Sequence, residues 1–305
     1  VTSRRAASGL LGVAALLPPV LWLVPPVLRR EAPSFRDQAD FFFPLKLYTA
    51  DRILRGELPL WNPLSGCGEP WLANLQAGVF YPPGLLFLAP SPALGAGLFL
   101  LFHFTLAAAG LWRFVKQEGG SDAAALAGAA LYAGSGLGAS LSAYWNHFGA
   151  FGWLPWLAAL ARGGLDRRGS RLAFAALFAL QLLCGSPEVS AATLALCALL
   201  VWKSRPAPEG GFQPRTRLRL GRLGAAAILG VLLGASTLAP FGELLASSDR
   251  ATPLPATLRE YGALGWEGAA AALGISAGER GGSYFPSLFF GSLAFLLAAG
   301  GAPGR

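Results

Sequence analysis

Leu94-Gly95-Ala96-Gly97-Leu98-Phe99-Leu100-Leu101-Phe102-His103-Phe104-Thr105-Leu106-Ala107-Ala108-Ala109-Gly110-Leu111-Trp112 runs without a charged residue until Arg113 and Lys116 close it. A bilayer's hydrocarbon core is crossed by about 20 predominantly apolar residues in a helix, and this run is of that length. The whole chain agrees with it: 54% of its 305 residues are hydrophobic and only 13% are charged, against roughly 25% charged in an ordinary soluble domain. So much apolar surface cannot be hidden in one water-soluble core beneath so little charge. The sequence predicts an all-α, polytopic membrane protein forming a single transmembrane domain over residues 1–305.

Outward from the run at 94–114, further apolar stretches at 10–24, 123–143, 148–160, 172–184, 189–202, 223–240 and 284–299 predict about eight spans. Several are shorter than a square crossing requires, so one short pair has the option of being re-entrant. Arg4 and Arg5 precede the first run and Arg29-Arg30 follow it, with no small-x-small cleavage site, which predicts an uncleaved helix kinked at Pro18-Pro19.

The charges fix an orientation. With both termini cytoplasmic, one side holds fifteen basic and four acidic residues and the other nine basic and twelve acidic, giving +11 and −3 of the net +8. That asymmetry is the positive-inside pattern. The basic loop 203–222 then reads as an anchor beside anionic lipid, not as a nucleic-acid site. Cys67, Cys184 and Cys197 lie far apart in a chain with two histidines. Their spacing fits neither an ordinary zinc site nor a disulfide framework, and all three read as small apolar fillers.

Two large outer segments remain, 29–91 and 241–283. In the first, Asp37 and Asp40 precede Phe43, Leu47, Ala50 and Leu54, which recur at helical spacing and predict a membrane-parallel helix over 44–55, ended by Gly56 and Pro59. If the chain is helical from Asp37, the two carboxylates share a face. They can cap the helix, or they can hold a proton or a divalent cation such as Mg2+ or Mn2+. Trp61, Trp71, Phe80 and Tyr81 are expected to anchor the Gly- and Pro-rich remainder at headgroup level.

The stretch Arg36-Asp37…Pro44, with Arg55-Gly56-Glu57-Leu58-Pro59-Leu60-Trp61-Asn62-Pro63, Gly68-Glu69-Pro70 and Gln76-Ala77-Gly78-Val79-Phe80-Tyr81-Pro82-Pro83, resembles the N-terminal signature of the YfhO-like bacterial membrane proteins, counted in the GT-C class of glycosyltransferases. Gly185-Ser186-Pro187-Glu188 and Leu238-Ala239-Pro240-Phe241-Gly242-Glu243 follow in the family's order. Two places depart from it: Ser186 stands where relatives often carry histidine, and Pro286 where a Tyr-x-Gly motif has glycine. The chain resembles the N-terminal half of that longer architecture.

The resemblance implies a GT-C-like helix bundle in the bacterial inner membrane. It implies transfer of a sugar from a polyprenyl-phosphate donor to a polysaccharide, lipid or protein acceptor on the outer face. Asp37, then Asp40, would be the catalytic carboxylates and any metal ligands. Arg36, Arg52, Arg55 and Arg250 would meet the donor phosphate, since guanidinium forks match phosphate oxygens. Asn62, Glu69, Gln76, His147 and Glu188 are acceptor-side candidates. His103, inside a span, reads as a helix–helix hydrogen bond. The rival function is a non-catalytic flippase or an accessory or assembly subunit of an envelope pathway. A flippase should carry ionisable groups deep in its spans, whereas these spans carry almost none.

Overall fold

The computed structural model describes residues 28–29, 31, 36–203 and 214–248. The expected spans at 10–24 and 284–299, most of the segment 241–283, and Arg250 lie outside them. The described residues form an all-α domain. A π-helical turn, Gln38–Phe42, runs into α1 (Phe43–Leu54), and three 3-10 turns follow at Trp71–Ala73, Leu75–Ala77 and Pro82–Leu88. Eight further helices complete it: α2 (Pro92–Gln117), α3 (Asp122–Ala133), α4 (Gly136–Leu141), α5 (Trp145–Gly163), α6 (Arg168–Leu183), α7 (Pro187–Trp202), α8 (Pro214–Leu233) and α9 (Ala235–Ala246).

Local chemistry sets the breaks. Pro92 and Pro187 start α2 and α7, where a missing N–H costs nothing. Ser121 and Ser135 cap α3 and α4 by accepting from the amides of Ala124 and Gly138. The expected span at 123–143 is therefore interrupted near Gly134-Ser135. The expected span at 223–240 is not one rod either: the chain bends by 80° between Leu233 and Ala235, turning α9 across the end of α8. Among the described residues, two segments can cross a membrane by length and composition, α2 and Asp122–Leu141, or three if α8 and α9 are one broken span.

Helix α5 is central, packing on α2, α6 and α7, while α8 covers α6 and α7. Trp145, Phe148, Phe99, Leu100, Leu157 and Phe174 are fully buried between these helices. Close approach needs small residues: a Cβ on Gly149 of α5 would lie 3.1 Å from Cys184 Sγ and 3.4 Å from His103 Nε2.

Charge collects at the two ends of the bundle. At one, Lys116 pairs with Asp122 at 2.8 Å, Arg162 with Glu118 at 3.0 Å, and Arg222 with Asp166. The other end carries the first loop.

Four expectations need correction. Helix α1 exists, but it turns Phe42, Leu45, Lys46, Thr49 and Ala50 to the protein and leaves Leu54 70% exposed. Of the stripe Phe43-Leu47-Ala50-Leu54 only Ala50 is buried, and the stripe's centre lies roughly a quarter turn from the buried face, because the loop supplies polar acceptors that make Lys46 an inward residue. Trp71 and Tyr81 are buried inside the protein and so do not face headgroups; of the four aromatics Trp61 and Phe80 are exposed. His103 bonds a loop residue, not a neighbouring helix. Cys184 and Cys197 are buried fillers, whereas Cys67 is exposed on the loop.

Candidate functional site

The end of the bundle bearing the loop is built on a polar relay. Trp153 Nε1 donates to the Tyr81 hydroxyl at 2.8 Å, and that oxygen lies 2.6 Å from His103 Nε2. His103 Nδ1 lies 2.7 Å from the Phe99 carbonyl, which can only accept, so Nδ1 is the protonated nitrogen and Nε2 receives the Tyr81 proton. Every group in this buried chain is satisfied, and the loop is locked to α2 and α5.

Lys46 supplies a second lock. Its ammonium donates to the carbonyls of Gln76 at 3.1 Å and Ala77 at 2.9 Å, tying α1 to the turns that follow. Burial pulls its pKa down to about 8, with Cys184 working weakly the other way. Trp71 adds a third tie through its Nε1, 2.9 Å from Thr49 Oγ1.

Asp37 opens the π-helical turn, half-buried, with no side-chain capping bond, and Asp40 is exposed one turn on. Neither carboxylate pairs with another described residue, so the capping role read from sequence is not taken up. Their backbone is held from both sides: Gln38 Nε2 donates 2.8 Å to the Ser142 carbonyl, and Phe42 stacks on Trp145 with centroids 6.2 Å apart. Two acids thus stand on a turn pinned to the start of α5. Among the described residues no third His, Cys, Asp or Glu joins them into a cation-binding group.

The other candidates divide. His147 and Glu188 come together: Nε2 lies 2.8 Å from Oε1, which also accepts from Ser186 Oγ at 2.8 Å. Asn146 Nδ2 donates to the Gly185 carbonyl, which leaves Asn146 Oδ1 to accept from His147 Nδ1 at 2.9 Å. Both ring nitrogens face acceptors, and the network ties the first turns of α5 and α7. Gln76 is half-buried on the turn that Lys46 holds, its amide capped by Asn74 Oδ1. Asn62 and Glu69 exchange backbone hydrogen bonds, and the Asn62 side chain accepts from Leu64 N, so Asn62 shapes the loop. Arg52 already holds Glu57 at 2.7 Å and Arg55 holds Asp51 at 3.0 Å. Arg36 is exposed at a φ of 53° beside Asp37. Arg250 lies outside the described residues.

Sequence reasoning missed Lys46, Gln38 and the Tyr81–Trp153 contact. A signal for Lys46 existed: Phe42, Lys46, Thr49 and Ala50 share a face at helical spacing, but a lysine there reads as solvated until a carbonyl partner is known. Comparison with protein-family models, with curated proteins and with solved structures finds no match to this chain.

Proposed function

We propose that the chain is a glycosyltransferase of the polytopic GT-C kind, moving a sugar from a polyprenyl-phosphate donor to an envelope acceptor at the loop-bearing end. One observation carries this. Parts of the first loop, of the Gly185–Glu188 stretch and of α9, on which the family resemblance rests and which are far apart in sequence, meet at that end: Gly185 lies against Leu75 and Gln76, and α9 packs on the Trp71–Ala73 turn between the loop's quoted stretches. A shared surface is what a catalytic signature requires and what a set of unrelated packing motifs does not.

In this reading an acceptor hydroxyl attacks the anomeric carbon as the bond to the donor phosphate breaks. The phosphate leaves with the bonding electrons, and the hydroxyl proton passes to Asp37. Arg36 stands nearest in sequence to meet the leaving phosphate, since Arg52 and Arg55 would first have to release Glu57 and Asp51. The test is sugar transfer from a panel of radiolabelled polyprenyl-phosphate donors by membranes containing the chain against membranes lacking it. Label appearing in chloroform-insoluble or lipid-linked product only with the chain supports the assignment. No transfer across the panel rejects it in favour of an accessory or assembly subunit.

A further inference from the structure

The loop tip between α1 and the Trp71–Ala73 turn exposes an apolar run: Leu54 is 70% exposed, Leu58 54%, Leu60 56%, Trp61 53% and Leu64 79%. Large apolar side chains scattered singly on a surface need no explanation, but five within eleven residues form a patch. We propose that this tip is a wedge seated in the lipid interface, its occupant the headgroup–acyl boundary of the bilayer that surrounds the spans.

The backbone makes the first argument. A tip destined for water can leave its N–H and C=O groups to the solvent, whereas one entering lipid must satisfy them itself. Here Asn62 N donates to Glu69 O at 2.9 Å and Glu69 N returns to Asn62 O at 3.0 Å. Leu64 N is taken by Asn62 Oδ1, Gly68 N by Ser65 O at 2.8 Å, and Leu60 N by Leu58 O at 2.9 Å. The Trp61 carbonyl receives the Tyr48 hydroxyl at 2.8 Å. These backbone groups are paired within the loop while the leucines face outward, and charged side chains of the tip are paired as well, Glu57 with Arg52 and Arg55 with Asp51.

Position makes the second. The 80° bend lays α9 across the end of α8, so where α8 runs along a membrane normal α9 lies near the membrane plane. The turn Trp71–Ala73 rests on α9, and Leu72 N of that turn donates to Leu60 O of the tip at 3.4 Å, which ties the tip to it. Arg52 precedes the run and Arg55 and Trp61 sit within it, the mix of basic and aromatic residues that interfaces favour. The Trp61 ring is fixed over Gly68, where a Cβ would come within 2.5 Å of it.

The test places a nitroxide at Leu64→Cys in a Cys67→Ser background, with the full chain in phosphatidylcholine–phosphatidylglycerol nanodiscs. Collision with oxygen and with a water-soluble nickel chelate is then compared. The expected result is oxygen-dominated collision at a depth of roughly 5–10 Å below the phosphate level, while a label at Asp40→Cys stays nickel-accessible. Nickel-dominated collision at Leu64 puts the tip in water and overturns the proposal. Exclusion of both reagents means that protein covers the tip, and overturns it equally. The readout does not involve sugar transfer, so it stands or fails apart from the enzymatic assignment.

Discussion

Tyr81, in the first loop, donates a hydrogen bond from its hydroxyl to His103 in the middle of α2 across 2.6 Å, and this contact ties the loop to the bundle. The polar group that a membrane helix cannot leave bare is here satisfied from outside the helix layer.

Tyr81→Phe strips His103 Nε2 of its donor and Trp153 Nε1 of its acceptor at one stroke. Each buried group left unpartnered costs about 1–3 kcal/mol. The variant should unfold at a clearly lower temperature in detergent. Adding Trp153→Phe should then cost less than it does in the wild type, because its partner is already gone. Additive effects would show that the contact carries no coupling.

Gly185 and Gly56 separate backbone strain from crowding. Both have positive φ, 86° and 74°, but a Cβ on Gly185 would lie 2.1 Å from the Leu75 carbonyl oxygen, while one on Gly56 meets nothing within 4 Å. Gly56→Ala should cost roughly 1–2 kcal/mol, the left-handed penalty alone. Gly185→Ala should cost more and should also open the first loop to limited proteolysis, since the turn at Leu75 must move. Equal effects in both assays would deny the contact.

Lys46 gives the protein a pH dependence with a definite sign. Its folded pKa, about 8, lies below the unfolded lysine value of about 10.4. Between these the unfolded chain binds more protons, so stability should rise with pH through that window, by up to about 1 kcal/mol per pH unit. Thermal midpoints of wild type and Lys46→Met, measured from pH 7.5 to 10, should diverge in favour of wild type as pH rises. Parallel curves would mean that Lys46 is not buried as described.

How much of this was legible beforehand depends on where each partner lies. The helices at 94–114, 148–160, 172–184 and 189–202 follow from apolar length, which is local. The bend after Leu233 does not, because Gly234 is one small residue among many and only packing on the Trp71–Ala73 turn makes it a corner. Helix α1 was visible in its stripe, yet its inward face was not, since Lys46 becomes inward only once Gln76 and Ala77, 30 and 31 residues later, present carbonyls. Asp37 and Asp40 were readable as a pair. That Gln38 between them is tied to Ser142, 104 residues on, was not.

The orientation can be read chemically. Asp40→Cys and Lys203→Cys, each in a Cys67→Ser background, lie at opposite ends and both positions are exposed. An impermeant maleimide should label the first in intact cells and reach the second only after lysis. The reverse pattern would invert the charge-based orientation, and equal labelling would break it.

Among the acids at the loop-bearing end, Asp37 should matter most for sugar transfer. It is half-buried at the head of a turn whose next residue, Gln38, is 1% exposed and anchored to Ser142, so its backbone is fixed and its carboxylate partly enclosed, whereas Asp40 is exposed on the turn. Catalysis by proton transfer needs a positioned group, and a mobile exposed acid contributes little. The Asn replacements keep size and most hydrogen bonding, and neither carboxylate pairs with a described residue, so folding should be unaffected. Asp37→Asn should lower transfer by about 100-fold or more, the ordinary reach of general-base catalysis, and Asp40→Asn should lower it far less. Rates are compared at matched protein levels, with thermal midpoints as the check on folding. A wild-type rate for Asp37→Asn would make the acid a solvated bystander, and a larger loss at Asp40 would move the base one helical turn along the chain.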